Sequence, residues 1–88
     1  MKISTEISLY PLTPDYETPI LAFITRLRPQ PSLTVATNPL STQVVGEYDA
    51  VMDGLKAAMQ PTLAGATACS FVLKILNVAI EPGATVAI

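Results

Sequence analysis

Residues 38–55, with the sequence NPLSTQVVGEYDAVMDGL, pass from a turn through a strand into a helix. Asn38 and Pro39 both favour tight changes of chain direction, so they predict a turn. Residues 41–47, STQVVGE, follow with the short, partly apolar pattern of a strand. From Glu47 onward the apolar side chains recur at helical spacing. The stretch therefore predicts a hairpin turn, a strand and a helix in immediate succession.

The residues before this stretch predict a strand, a helix and a second strand. Residues 3–10, ISTEISLY, alternate apolar and polar side chains, which is the pattern of a strand with one face on a core. A helix is predicted to start at Pro19, with Thr18 as its N-cap, and to end before Pro29. Residues 32–38, SLTVATN, predict a strand that pairs with the following one in a hairpin.

The residues after the stretch predict the end of the second helix and one more strand. We expect that helix to run from Glu47 to about Gln60, where Pro61 stops it. Residues 69–77, CSFVLKILN, are the most apolar segment and predict a fourth strand. A proline and a glycine interrupt the remaining tail, residues 78–88. The tail is expected to be a C-terminal extension that adds a short strand or packs on a neighbouring subunit.

The predicted order β-α-β-β-α-β defines one α+β domain over residues 1–88. Right-handed crossovers in both βαβ halves place the four strands in one antiparallel sheet, in the order 4-1-3-2. Both helices then lie on one face of that sheet, which is the ferredoxin-like sandwich. The other face is left bare, and its mixture of polar and apolar side chains predicts an interface between subunits.

The composition favours self-association and argues against several functions. Half of the 88 residues are hydrophobic and 14% are charged, which is more apolar surface than a small domain can bury. We therefore expect a homo-oligomer. The net charge of −2 and the scattered basic residues argue against a nucleic-acid partner. No apolar run has the length of a membrane span and no signal-peptide pattern is present, so we expect neither membrane insertion nor secretion.

Histidine is absent and cysteine occurs once, at Cys69. The chain thus lacks the usual general base and the commonest metal ligand, and neither a metal site nor a cofactor is expected. No combination of nucleophile, base and oxyanion donor is evident, so we expect no enzymatic activity. A single cysteine forms no internal disulfide, which agrees with a cytoplasmic location.

Hydroxyl and amide side chains cluster at the mouth of the predicted hairpin: Asn38, Ser41, Thr42 and Gln43. One interpretation is that Asn38 and Ser41 stabilise the turn, and this is favoured because such turn chemistry is common. The alternative is a binding site. Hydroxyls and amides both donate and accept hydrogen bonds, as a flat nitrogen heterocycle requires.

Two residues of the first strand are further candidates. Glu6 and Lys74 lie on strands that are antiparallel neighbours in this fold. They either form a cross-strand ion pair, which is the favoured interpretation, or leave Glu6 to face an amino-bearing ligand. Tyr10, at the end of the first strand, is placed to stack on a ring while its hydroxyl makes a hydrogen bond.

Four segments in this order resemble the YkoF-like (DUF77) family of thiamine-binding proteins: ISTEISLYPL, PILAFITRLR, TNPLSTQVVGEYDAVMDGLKAAM and FVLKILN. Together they span the chain up to about Asn77, and the STQVVGE run is the most specific part. The resemblance implies a ferredoxin-like fold that binds thiamine or its hydroxymethylpyrimidine moiety without chemistry. It also implies assembly through the sheets into dimers or a homotetramer.

By this resemblance, Ser41, Thr42 and Gln43 face the ligand, with Ser8 from the neighbouring strand and Asn38. Consecutive strand residues point to opposite faces, so Thr42 and Gln43 share a surface only through a bulge or a site between subunits. The alternative function is a structural or regulatory oligomerisation module without a small-molecule ligand. The full set of predicted ligand-binding residues is Glu6, Ser8, Tyr10, Asn38, Ser41, Thr42 and Gln43.

Overall fold

The computed structural model describes residues 1–87 and contains the six elements in the predicted order. The strands form one antiparallel sheet in the order β2-β3-β1-β4, which is the predicted order read from the opposite edge. The predicted α+β, ferredoxin-like βαββαβ topology is confirmed. The elements are β1 (Lys2–Pro11), α1 (Glu17–Leu27), β2 (Thr34–Thr37), β3 (Thr42–Glu47), α2 (Tyr48–Leu63) and β4 (Cys69–Leu76).

The hydrophobic core lies between the two helices and one face of the sheet. The odd-numbered residues of β1 point into it, as the alternation in the sequence predicts. Phe23 of α1 packs edge-on against Phe71 of β4, with 5.1 Å between the ring centroids. The even-numbered residues of β1 consequently face away from the helices. The buried apolar residues of the core are Ile3, Ile7, Leu9, Phe23, Leu27, Val44, Val51, Leu55 and Ala58.

Helix α1 begins two residues earlier than the sequence predicts. Its first residue is Glu17 and its N-cap is Tyr16, so the prediction of Thr18 as the cap is wrong. The Thr18 hydroxyl instead donates to Asp15 Oδ1 at 2.9 Å. Pro19 falls at the third helical position, where a backbone N–H has no partner within the helix. The proline is therefore tolerated inside the first turn.

Helix α2 contains Pro61, and the prediction that this proline ends the helix is wrong. The helix continues to Leu63 and is held at this end by Arg26 of α1. The Arg26 Nε donates to the Ala58 carbonyl at 3.0 Å, and its Nη2 donates to Thr62 Oγ1 at 2.5 Å. These contacts with a neighbouring helix support the last turn, which lacks the N–H of the proline. No helix within residues 1–87 is long and apolar enough to cross a membrane.

The beginning of β1 is attached to the junction of β3 and α2. The ammonium group of Met1 lies 2.9 Å from Glu47 Oε2, and the Tyr48 amide donates to the Met1 carbonyl at 2.8 Å. The hydrogen bond and the charge of this ammonium lower the pKa of the Glu47 carboxyl below its usual value. These contacts lie at the opposite end of β1 from Tyr10.

The C-terminal tail crosses the face of the sheet that the sequence predicts to be bare. It forms no strand within residues 78–87 and packs on its own sheet. The Ser4 hydroxyl donates to the Val78 carbonyl at 2.6 Å and accepts from the Ile80 amide at 2.9 Å. Ser4 and Val45 point away from the helices, yet they are only 4% and 8% exposed. This half of the face is therefore covered by the chain itself.

Candidate ligand-binding site

The open face of the sheet is the one opposite the helices, and its side chains stand in rows across the strands. The middle row is polar, and the row on one side of it is partly covered by the C-terminal tail. The row on the opposite side of the polar row lies nearer to the β2–β3 turn. In the observed register the three rows are Val45–Ser4–Leu76, Gln43–Glu6–Lys74 and Ser8–Val72.

Glu6 is the centre of the polar row. Its Oε1 lies 3.3 Å from the Lys74 ammonium, which confirms the predicted cross-strand ion pair. Its Oε2 accepts a hydrogen bond from Ser41 Oγ at 3.1 Å. The sequence does not predict this second contact, because Glu6 and Ser41 lie 35 positions apart. The contact connects the mouth of the hairpin to the open face.

Asn38 stabilises the hairpin turn. Its Oδ1 accepts hydrogen bonds from the amides of Leu40 and Ser41 at 2.8 and 2.9 Å. The backbone amide of Asn38 donates to the Ser41 carbonyl at 2.9 Å. This is the local bonding of an Asx turn, so the interpretation of Asn38 as a turn residue is confirmed. The side-chain oxygen of Asn38 is thereby engaged, and its role toward a ligand stays a prediction.

Thr42 and Gln43 point to opposite faces of the sheet, and the regular pairing of β1 with β3 has no bulge there. Thr42 is 4% exposed on the helix side and shares a hydrogen bond with the hydroxyl of Thr37. Gln43 lies on the open face, where its Oε1 accepts from the Gly83 amide at 2.7 Å. One protomer therefore does not bring Thr42 and Gln43 to the same surface.

The predicted ligand-binding residues are distributed between two separate clefts. The hairpin cleft, of about 70 Å³, lies between α1 and the β2–β3 turn, beside Phe23 and Ile24. The sheet-face cleft, of about 170 Å³, lies on the open face between Lys74 and Ile80. Tyr10 lines neither cleft and is 54% exposed. Of the predicted set, Ser8, Asn38, Ser41 and Thr42 line the hairpin cleft, and Glu6 and Gln43 line the sheet-face cleft.

Lys74 and two residues of the C-terminal tail lie at the open face but are absent from the predicted set of ligand-binding residues. The sequence predicts Lys74 as a partner of Glu6 but not as part of a site, although Lys74 lines the sheet-face cleft. The tail residue Ile80 also lines the sheet-face cleft, and Gly83 borders a further cleft between Gln43 and Asn38. The Pro82–Gly83 pair predicts a turn. Nothing in the sequence indicates which surface that turn contacts.

The surface between the two clefts offers hydrogen bonds and charge. We define the polar patch as Glu6, Ser8, Ser41 and Gln43. Each buried side-chain nitrogen and oxygen atom within residues 1–87 has a hydrogen-bond partner. Within the same residues, no three His, Cys, Asp or Glu side chains gather in a way that could hold a metal ion.

The chain is a ferredoxin-like sandwich with a polar patch on its open face, and solved structures share this fold. A hypothetical protein from Methanocaldococcus jannascii is 23% identical, with a TM-score of 0.76 over 91% of this chain and 84% of that chain. A candidate thiamine biosynthesis/salvage protein from Thermotoga maritima is 19% identical, with a TM-score of 0.69 over 92% and 90%. A DUF77 domain from Bacillus cereus is 21% identical, with a TM-score of 0.70 over 100% and 84%.

These similarities establish the fold, and they agree with the resemblance to the DUF77 family that the sequence predicts. No family profile and no curated protein matches the sequence.

Proposed function

We propose that this chain is a DUF77-type protein that binds thiamine or its hydroxymethylpyrimidine moiety and carries out no reaction on it. The observation that carries the proposal is the hydrogen bond from Ser41 to Glu6. It places a hydroxyl and a carboxylate side by side, next to the Gln43 amide, on a face that the helices leave open. The description of the Thermotoga maritima structure as a candidate thiamine biosynthesis/salvage protein supports a thiamine-related ligand.

The polar patch matches the hydrogen-bonding groups of an aminopyrimidine. Such a ring donates through its exocyclic amino group and accepts at its ring nitrogens. The Glu6 carboxylate accepts from the amino group. The hydroxyls of Ser41 and Ser8 donate to Glu6 and to the Leu40 carbonyl without ligand, and on binding each would rotate to donate to a ring nitrogen instead. The half-exposed side chains of Tyr10 and Val72 lie on the same face and offer apolar contact with the ring.

The patch suits binding better than catalysis. Glu6 is engaged by a lysine and a serine hydroxyl, and neither partner converts it into an activated base. No histidine is available to activate the hydroxyls of Ser8 or Ser41. The proposed role is accordingly to hold a ligand, without a cofactor and without turnover.

We further propose that the protein acts as a homo-oligomer, a dimer or tetramer formed through its sheets, in the cytoplasm and without nucleic acid. A ligand on an open face needs a second wall, which a partner subunit would supply. Apolar side chains on and beside this face are 39% to 55% exposed, which favours such contact. These side chains are Tyr10, Val72, Leu76 and Ile80. Sedimentation velocity showing only monomer at micromolar concentration would contradict the assembly.

The second candidate function is an oligomerisation module without a ligand. Strand β4 lies at an edge of the sheet, and exposed edge strands pair readily with other chains. A groove of about 630 Å³ runs between α2 and this strand, with Met52, Met59 and Leu73 in its lining. This candidate predicts assembly but no response to thiamine.

Isothermal titration calorimetry with thiamine and with hydroxymethylpyrimidine distinguishes the two candidates. We expect saturable binding to the wild type and at least about tenfold weaker binding to Glu6→Gln, since a hydrogen bond to a charged group contributes about 1.5–3 kcal/mol. Ser41→Ala should weaken binding by a smaller factor, and Ser70→Ala, an exposed position on β4, should leave it unchanged. Thr42→Ala is a poorer test because Thr42 is buried and its loss alters stability. No heat with either compound at millimolar concentration would contradict the proposed function.

A further inference from the structure

We propose that residues 78–84 form a displaceable strap that closes over Gln43 and limits access to the polar patch. This inference rests on the proposed binding function, because it assigns the strap a role in regulating that site. The strap begins directly after β4 and crosses the open face toward β3 and β2. In this way the chain covers part of the surface that it offers to a ligand.

The strap is attached to the sheet at two polar side chains. Ser4 binds it twice, by donating to the Val78 carbonyl at 2.6 Å and accepting from the Ile80 amide at 2.9 Å. Further along, the Gly83 amide donates to Gln43 Oε1 at 2.7 Å. The side-chain oxygen Oε1 of Gln43 is an acceptor of the polar patch, and it is thus occupied by the chain itself. A ligand that donates a hydrogen bond to this oxygen competes directly with Gly83.

A tight turn gives the strap its shape at Gln43. The Ala84 amide donates to the Glu81 carbonyl at 3.2 Å, which places Pro82 and Gly83 at the two central positions. Gly83 has a φ of +75°, and proline followed by such a glycine is typical of a type II turn. A Cβ on Gly83 would also lie 3.3 Å from the Ala36 Cβ. Glycine is therefore favoured here both by the backbone conformation and by the close approach to β2.

The strap separates two clefts that share Gln43. Ile80 forms a wall of the sheet-face cleft. Gly83 and Ala84 form a wall of a second cleft of about 270 Å³, which reaches Asn38 at the hairpin. Gln43 lines both clefts. Displacement of the strap would therefore join them into one surface that extends from Lys74 to Asn38.

The strap is only lightly held. The strap covers Ser4 and Val45, but its own apolar side chains are mostly open to solvent: Val78 is 56% exposed and Ile80 is 39% exposed. Segments with few buried apolar contacts open at a small cost in free energy. If ligand binds only while the strap is open, the apparent affinity is reduced by the fraction of molecules in the open state. Weakening the strap should consequently raise the affinity.

Two measurements on the same proteins test the strap. The proteins are the wild type, Gly83→Val, Ser4→Ala, which removes both bonds to the start of the strap, and Val86→Ala as the control in the tail. Hydrogen exchange without ligand should show the Ile80 and Gly83 amides protected in the wild type and in the control. In Gly83→Val the Ile80 amide should lose protection. Calorimetry should then show thiamine bound several-fold more tightly by Gly83→Val and by Ser4→Ala than by the wild type and control.

The outcomes separate the strap from the proposed function. Unprotected Ile80 and Gly83 amides in the wild type would overturn the strap itself. Protected amides together with unchanged or weaker thiamine affinity in both strap variants would overturn its role in access. An absence of thiamine and hydroxymethylpyrimidine binding in every protein, with the amides still protected, would overturn the proposed function and the regulation that depends on it.

Discussion

Substitution of Gly46 by alanine tests how closely β3 packs beneath the loop that leads into β2. A Cβ at this position would lie 2.8 Å from the Ser32 carbonyl oxygen, and 3.3 Å from both Leu33 Cδ2 and Val51 Cγ2. The nearest atom belongs to the main chain, so rotation of a side chain does not relieve the contact. Ser32 itself has a φ of +68°, a conformation that few residues other than glycine adopt. Relief of the contact therefore requires movement of the Ser32 main chain.

The expected loss follows from two opposing terms. Overfilling a well-packed site costs about 1–3 kcal/mol, and replacing glycine within a strand returns about 0.5–1 kcal/mol. The two ranges leave a net loss of about 0–2.5 kcal/mol. The 2.8 Å contact with a main-chain oxygen excludes the low end, so we expect about 1–2 kcal/mol for Gly46→Ala. In a domain of this size each 1 kcal/mol changes the midpoint of thermal unfolding by about 4–8 °C. We expect Gly46→Ala to lower the midpoint by roughly 5–15 °C.

Gly54→Ala is the matched control in α2. Its Cβ would lie 2.7 Å from Leu33 Cδ1, which is the mobile end of a side chain. Moving that side chain costs about 0.5–1.5 kcal/mol, and the helix gains about 1 kcal/mol from alanine. The stability of this variant should therefore stay within about 0.5 kcal/mol of the wild type. Circular dichroism melts at one protein concentration compare the three proteins. Equal losses for the two variants, or no loss for Gly46→Ala, would refute the reasoning.

Two further substitutions test the contacts that support the helices and the polar row. Arg26→Lys should lower the free energy of unfolding in urea by about 1–2 kcal/mol, because one ammonium group does not reproduce the paired bonds to Ala58 and Thr62. An unchanged urea midpoint would show that Arg26 does not support the end of α2. Lys74→Met should change stability by less than about 1 kcal/mol, because the Lys74 side chain is 78% exposed and its pair with Glu6 is screened by water. A larger loss in the same assay would contradict this description of the pair.

The fold could be predicted because its determinants are local and periodic. The alternation in residues 3–10 assigns each side chain of β1 to one face of the sheet, and the structure agrees, although the tail also buries Ser4 on the open face. The helix ends are less predictable. Pro61 does not end α2, which is supported there by an arginine that lies 35 positions earlier in the chain. A contact of that kind leaves no signal in the local sequence.

The candidate site was only partly predictable for the same reason. The hairpin residues can be predicted because their side chains favour turns, and Asn38 does stabilise the β2–β3 turn. The Ser41–Glu6 hydrogen bond depends on the tertiary pairing of β1 with β3. The contact between Gly83 and Gln43 depends on where the tail lies. Sequence patterns identify such residues one at a time, and only the folded chain shows which of them meet.

An NMR titration of the ¹⁵N-labelled protein with hydroxymethylpyrimidine tests the central claim most directly, because it locates the ligand on the sheet. The account predicts saturable shift changes centred on the amides of the polar patch, Glu6, Ser8, Ser41 and Gln43, and extending to Gly83. Changes confined to the groove beside Met52 and Met59, or no changes at millimolar ligand, would contradict it.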